Sequence, residues 1–343
     1  MRDSWLAAQA ARGAVPGRDV VQSFGDPAGE LAATASGSIL ADLSHLGVLA
    51  FTGDDARAFL QAQLSCDVSE IGPESASFGA YCSAKGRMLA SFLLWADGFG
   101  FRMALSRPLV LPIEKRLRMF ILRSKVDISD QTASCVLLGA AGPAAQAALI
   151  AALGAAPSEP HGVTRAAGVA AIRLPGERFL IAVDIPDAAR VWDALAGTLR
   201  PVGTPCWEWL DIRSGVPLVT PGTQDSFVPQ MANLELIGGV SFQKGCYPGQ
   251  EIVARTQYRG KSKRRMFLAG IDADAAPAPG DALFSEDLGD QGSGTIVNAA
   301  RSPAGGFDVL AVVPTASAAE SVVHLRSLDG PRLRFRALPY AVP

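Results

Sequence analysis

The chain has no C-x-x-C pair, and its three histidines (His45, His161, His324) are scattered. Zinc sites and self-contained iron–sulfur sites usually draw paired ligands from short spacings, so neither is expected. Five cysteines (Cys66, Cys82, Cys135, Cys206, Cys246) form an odd, widely spaced set, as reduced thiols do and a disulfide framework does not. No run of 18 apolar residues occurs. The nearest, Leu137 to Pro157, is interrupted by Gly142, Pro143 and Gln146, so it reads as a packed helix from Pro143 rather than a membrane span. The N-terminus carries Arg2, Asp3 and Arg12 without a continuous apolar core, unlike a signal peptide. A cytoplasmic protein is expected, with no membrane partner and as a monomer.

What is present is a length of 343 residues, 49% hydrophobic and 19% charged, which suits two or three globular domains. Net charge is −2, yet Lys244 to Arg265 holds seven basic residues against one acid, Glu251. That stretch is +6 and the remainder is −8. Positive charge so concentrated points to a site rather than to a generally basic protein.

Along the chain, the first 35 residues read as a loosely held lead-in. A strand at Val48 to Phe51 precedes a turn at Thr52-Gly53 and a helix carrying Phe59 and Leu60. Turns at Ala84-Lys85-Gly86 and Asp97-Gly98 predict a β-hairpin series, and Pro112 to Lys125 has helical spacing. A second module follows: strand Ser134 to Leu138, helix Pro143 to Leu153, strands at Ala170 to Leu174 and Phe179 to Val183, and helix Ala188 to Leu199. The composition shift at DAAPAPGD marks a boundary or turn. Short strands after Asp281 predict a small all-β barrel or sandwich, with Gly289 to Gly294 as a hairpin turn rather than a phosphate loop.

Cys246 lies in KGCYPGQE (Lys244 to Glu251), two residues from Lys244 and just before a Pro-Gly turn that leads into a helix at Gln250-Glu251. Cations and helix N-termini lower thiol pKa values and so favour the reactive thiolate. Residue types alone leave two readings open, a reactive thiol on an exposed loop or a small buried hydrophobe beside a solvated basic face.

KGCYPGQE resembles the signature of the YgfZ family of folate-binding proteins, relatives of the glycine-cleavage T-protein. The likeness extends over FVPQMANLELIGGVSFQKGCYPGQEIVARTQYRGKSKR, YCSAKGRM, FTGDDARAFLQAQLSCDV and the closing LPY, so it covers about residues 40 to 340. It implies an α+β fold: two ferredoxin-like α/β units plus a C-terminal β-barrel around a central folate cleft. The expected domains are 1–130, 131–260 (with the KGCYPGQE loop, the first two either consecutive or interleaved) and 261–343.

It further implies tetrahydrofolate as cofactor, iron–sulfur enzymes or assembly proteins as partners, and support of tRNA-modifying iron–sulfur enzymes without direct nucleic-acid binding. The implied site is Cys246 as reactive thiol with Lys244 beside it. Trp207, Leu46, Lys85, Arg87, Tyr247, Gln250, Glu251 and Arg259 are the implied cofactor-binding residues. Trp207 and Leu46 fall where the bacterial family has folate-associated tryptophans, and Leu46 keeps only an apolar wall. The bland reading of Trp207 is a core residue beside Trp209 and Leu210.

T-protein enzymes use an aspartate after the central hairpins, whereas Gly98 to Ile113 contains no carboxylate. Arg213 stands where such enzymes offer the pterin a glutamate, and a guanidinium cannot accept N–H donors. A folate-dependent aminomethyl transferase or demethylase is therefore the alternative, not the first reading. An RNA-binding module using Arg255 to Arg265 is a further rival, with Tyr258 as its one interleaved aromatic.

Overall fold

A computed structural model describes residues 2–18, 20–98, 100–166, 168–258 and 262–343. The chain divides into two compact units, each assembled from three segments. The first comprises Met1–Arg57, Ser69–Ser77 and Leu93–Trp207; the second comprises Ala58–Val68, Phe78–Phe92 and Glu208–Pro343.

The first unit is built on a six-stranded sheet. Its strands run in the order Val163–Ala166, Val169–Leu174, Arg178–Asp184, Cys135–Ala141, Ile39–Asp42 and Arg200–Val202. Neighbours pair antiparallel except the last two, where Arg200 sits opposite Ile39 in parallel register. On one face, Leu138, Ala140, Phe179, Ile181 and Val183 join the apolar core. The helix Ile185–Ala196 covers it with Ala188, Val191, Trp192 and Leu195, the spacing of one helical face. A second helix, Ala145–Leu153, adds Ala145, Ala148 and Leu149 and ends at Gly154 with φ 84, a left-handed cap that glycine adopts without a Cβ penalty.

The N-terminal segment corrects the expectation of a loose lead-in, because Arg2–Ala11 and Pro27–Ser36 are helices. Trp5 is buried, donates its indole N–H to Asp42 Oδ2 at 2.6 Å, and meets Trp192 edge-on with centroids 5.9 Å apart. Glu30 is buried too. Its carboxylate accepts the backbone N–H groups of Phe24, Asp26 and Gly203, which offset the cost of desolvating a charge. An Ala/Gly-rich composition hid these anchors, since Asp42, the partner of Trp5, and Gly203, one partner of Glu30, lie far along the chain.

Also in this unit, Leu46–Thr52 pairs antiparallel with Gly100–Ser106 on one side and Asp127–Asp130 on the other. The expected helix from Pro112 is Val110–Arg118, which stops short of Lys125.

In the second unit, strands end at Cys82 and begin at Met88 around a turn closed by Gly86 N–H to Ser83 O and Ser83 N–H to Arg87 O, both 2.8 Å. Its C-terminal part is a six-stranded sheet curled as a half-barrel. The order is Val323–Leu325, Ala282–Ser285, Gly292–Arg301, Phe307–Pro314, Arg264–Ile271, Leu333–Arg336. An isolated antiparallel bridge links His324, in one edge strand, to Arg332, just before the other. Since Arg264–Ile271 lies inside this sheet, DAAPAPGD is a turn within it rather than a boundary before it.

Candidate functional site

The KGCYPGQE loop belongs to the second unit, and its geometry follows from Lys244. This side chain is buried, and its ammonium donates to the carbonyls of Gln61 and Leu64 at 2.6 Å and of Cys66 at 2.8 Å. The three oxygens lie at and just past the C-terminal end of the helix Ala56–Gln63, where carbonyls lack helical partners and the helix dipole favours a cation. Burial lowers the Lys244 pKa; Cys66 and Asp67 act against that shift. Ser65 continues the seam, its hydroxyl donating to Gly239 O and accepting Ala80 N–H while its carbonyl accepts Ser241 N–H.

Lys244, expected beside Cys246 as a charge partner, is committed to backbone carbonyls. Its three carbonyl contacts take up all three ammonium protons, which turns the residue into the loop's anchor. Cys246, two positions on, is exposed, whereas Cys66, Cys82, Cys135 and Cys206 are buried. Burial pushes the Cys82 thiol up to about 12, with Asp225 adding to the shift, and burial likewise pushes Cys135 and Cys206 up to about 11.

Tyr247 turns inward. It is buried, its ring centroid lies 5.3 Å from Lys244 Nζ, and its hydroxyl has no hydrogen-bond partner among the described residues. Its pKa is raised by burial first, then by Cys82 and Cys66. Pro248-Gly249 then leads into the helix Gln250–Tyr258, as expected from the sequence.

Gly249 (φ 78) packs against the hairpin turn so closely that a Cβ there would sit 2.4 Å from Ser83 O and 2.6 Å from Gly86 N. The structure thus brings the Lys85-bearing turn and the Cys246-bearing turn into backbone contact, although Lys85 and Cys246 are 161 positions apart. Asp225 (φ 57) holds the first of these turns. Its carboxylate accepts the Ser83 hydroxyl at 2.8 Å, and Arg87 Nη1 donates to the Asp225 and Ser226 carbonyls at 3.2 Å. Lys85, Arg87 and Glu251 are exposed and Gln250 is half-buried; Arg259 lies outside the described residues.

Trp207 and Leu46 belong to the first unit. Trp207 is 1% exposed, its six-membered ring lying on Gly139 so tightly that a Cβ there would approach within 2.4 Å; Arg178 is 5.5 Å from its ring centroid. This is the setting of a core tryptophan. Leu46 is half-buried beside a cavity of about 20 Å³ shared with Trp5 and Cys135, too small for a pterin ring.

One group escaped the sequence reading. Glu208, flanked by Trp207 and Trp209 in the helix Thr204–Arg213, has its pKa pushed up to about 7 by burial and, secondarily, by Asp211. A carboxylate between two tryptophans is the signal that would have found it. The helix Val110–Arg118 has no acid in its first turn.

Residues 1–244 match the family model described as the GCVT N-terminal domain. The tRNA-modifying protein YgfZ of Yersinia pseudotuberculosis serotype O:1b (strain IP 31758) is 33% identical over 307 residues, covering 88% of this chain and 92% of the Yersinia protein. The protein of the same name from Escherichia coli O127:H6 (strain E2348/69 / EPEC) is also 33% identical, over 88% and 93% of the two chains. This chain belongs to the YgfZ family. Its fold is similar to the crystal structure of glycine cleavage system aminomethyltransferase T from Bartonella henselae. The TM-score is 0.81 and the identity 18%, with 98% of this chain and 96% of that one covered. The YgfZ resemblance read from KGCYPGQE is thereby established. No helix among the described residues is long and apolar enough to cross a membrane.

Proposed function

We propose that the protein is a tetrahydrofolate-binding accessory factor that supports assembly or repair of iron–sulfur enzymes, including tRNA-modifying ones, through the Cys246 thiol. The observation that carries this reading is the contrast within one loop: Lys244 is anchored in the interior while Cys246 is presented to solvent. A lone thiolate cannot complete an iron–sulfur site, so a client or assembly protein supplies the remaining ligands to a cluster that is cargo here. The names of the YgfZ relatives support a link to tRNA modification.

For folate, the exposed Lys85 and Arg87 on the turn beside Cys246 suit its anionic tail. Trp207 is covered and offers no open stacking face, so the ring is assigned to no residue here. Aminomethyl transfer is disfavoured because Gly98 to Ile113 lacks a carboxylate. Titration calorimetry with tetrahydrofolate tests the ligand. Saturable binding is expected, weakened about tenfold in Lys85→Glu, equivalent to about 1.4 kcal/mol. Absence of binding, or binding indifferent to that charge reversal, would remove folate from the account.

A further inference from the structure

The first unit contains an open pocket of about 640 Å³ that has no part in the thiol site. Its lining carries two guanidinium groups, Arg57 and Arg165, against one carboxylate, Asp54. Both arginines are fixed in place. Arg57 lies over the buried Phe101 ring, 4.9 Å from its centroid, and donates to the carbonyl of Ile71 at 3.0 Å. Arg165 donates from its two terminal nitrogens to the carbonyls of Pro73 and Ala96, using two of its five N–H donors. The helix Ala56–Gln63 begins at the pocket, with Ala56 and Arg57 on its wall, so the positive end of its dipole adds to the two cations. Asp54 is turned to a cation outside the lining, with its Oδ2 3.4 Å from Lys125 Nζ.

We infer that this pocket binds a phosphorylated small molecule of about mononucleotide size, its phosphate oxygens taken by Arg165, Arg57 and the helix start. The volume lies within the range of about 300–1,000 Å³ usual for ligand pockets. Guanidinium forks match phosphate oxygens in geometry, and those held by backbone carbonyls lose little freedom on binding. Phe101 supplies an apolar edge beside the cations.

The full-length protein is titrated calorimetrically with inorganic phosphate, pyrophosphate and AMP, each against sodium chloride at matched ionic strength. Saturable one-to-one binding is expected for at least one of the three. Tighter binding of AMP assigns a nucleotide, and equal or tighter binding of pyrophosphate assigns the phosphate groups alone; either supports the site. Arg165→Gln is expected to weaken binding at least tenfold.

Gly98→Asp is a second variant that leaves both arginines in place. A Cβ at Gly98 meets nothing within 4 Å, and aspartate tolerates its φ of 51, so this change adds a carboxylate at the rim and is also expected to weaken binding. Heats reproduced by sodium chloride alone, no saturation at millimolar ligand, or affinity unchanged in both variants would overturn the inference.

Discussion

Lys244 and Cys246 are two residues apart and face opposite environments: the lysine ammonium is buried on three carbonyl oxygens, and the thiol is exposed. Replacing Lys244 by Met keeps the length of the side chain and removes the donors, leaving three buried carbonyls without that partner. The expected loss is about 3 kcal/mol of unfolding free energy, read as a lower urea midpoint with unchanged slope. A midpoint equal to that of the parent protein would show that the anchor contributes nothing.

Thiol access divides the five cysteines. Iodoacetamide on the native protein is expected to label Cys246 first, with the four buried thiols reacting only on unfolding. Peptide mapping after timed quenching reads this directly. Labelling of Cys82 at the rate of Cys246 would contradict it.

Much of this arrangement was legible in the sequence. The hairpin at Ala84-Lys85-Gly86, the helix after Pro248-Gly249 and the strands Gly292–Arg301, Phe307–Pro314, Val323–Leu325 and Leu333–Arg336 follow from local turn chemistry and periodicity, whereas the sheet strand Arg264–Ile271 was hidden within the basic run. The role of Lys244 did not show, because its partners are carbonyls near residue 64, and a backbone oxygen has no sequence signature. The same reason hid Trp5, whose acceptor Asp42 is 37 positions away. Trp207, expected at folate from likeness to the family, is buried where the absent side chain of Gly139 makes room for its indole, a packing the sequence does not announce.

Gly249 offers a sharper test of how the two turns meet. Gly249→Ala would place a Cβ against the backbone of Ser83 and Gly86 at a positive φ, with no flexible side chain to yield. A loss of about 2 kcal/mol is expected in urea unfolding. A stability within experimental error of the parent protein would mean that the turns do not pack as described.

Glu208 sets a pH dependence. Its carboxyl pKa is raised from 4.5 to about 7 in the folded protein, so the folded state holds this proton more tightly than the unfolded state. The contribution is fully present below about pH 4.5 and is lost as pH rises toward 7, amounting to on the order of 3 kcal/mol. Glu208→Gln is expected to remove that part of the decline between pH 5 and 7, measured as unfolding free energy at half-unit intervals. Parallel profiles for the two proteins would contradict the assignment.

The central claim rests on Cys246, and one measurement reaches it most directly. Cells lacking the protein are supplied with either the parent chain or Cys246→Ser, and the modified-nucleoside content of their tRNA is quantified. The variant exchanges one atom on an exposed loop, so urea unfolding and tetrahydrofolate affinity should stay within twofold of the parent. The account predicts that, at equal protein level, Cys246→Ser restores none of the iron–sulfur-dependent modification that the parent restores. Full restoration by the variant would contradict it.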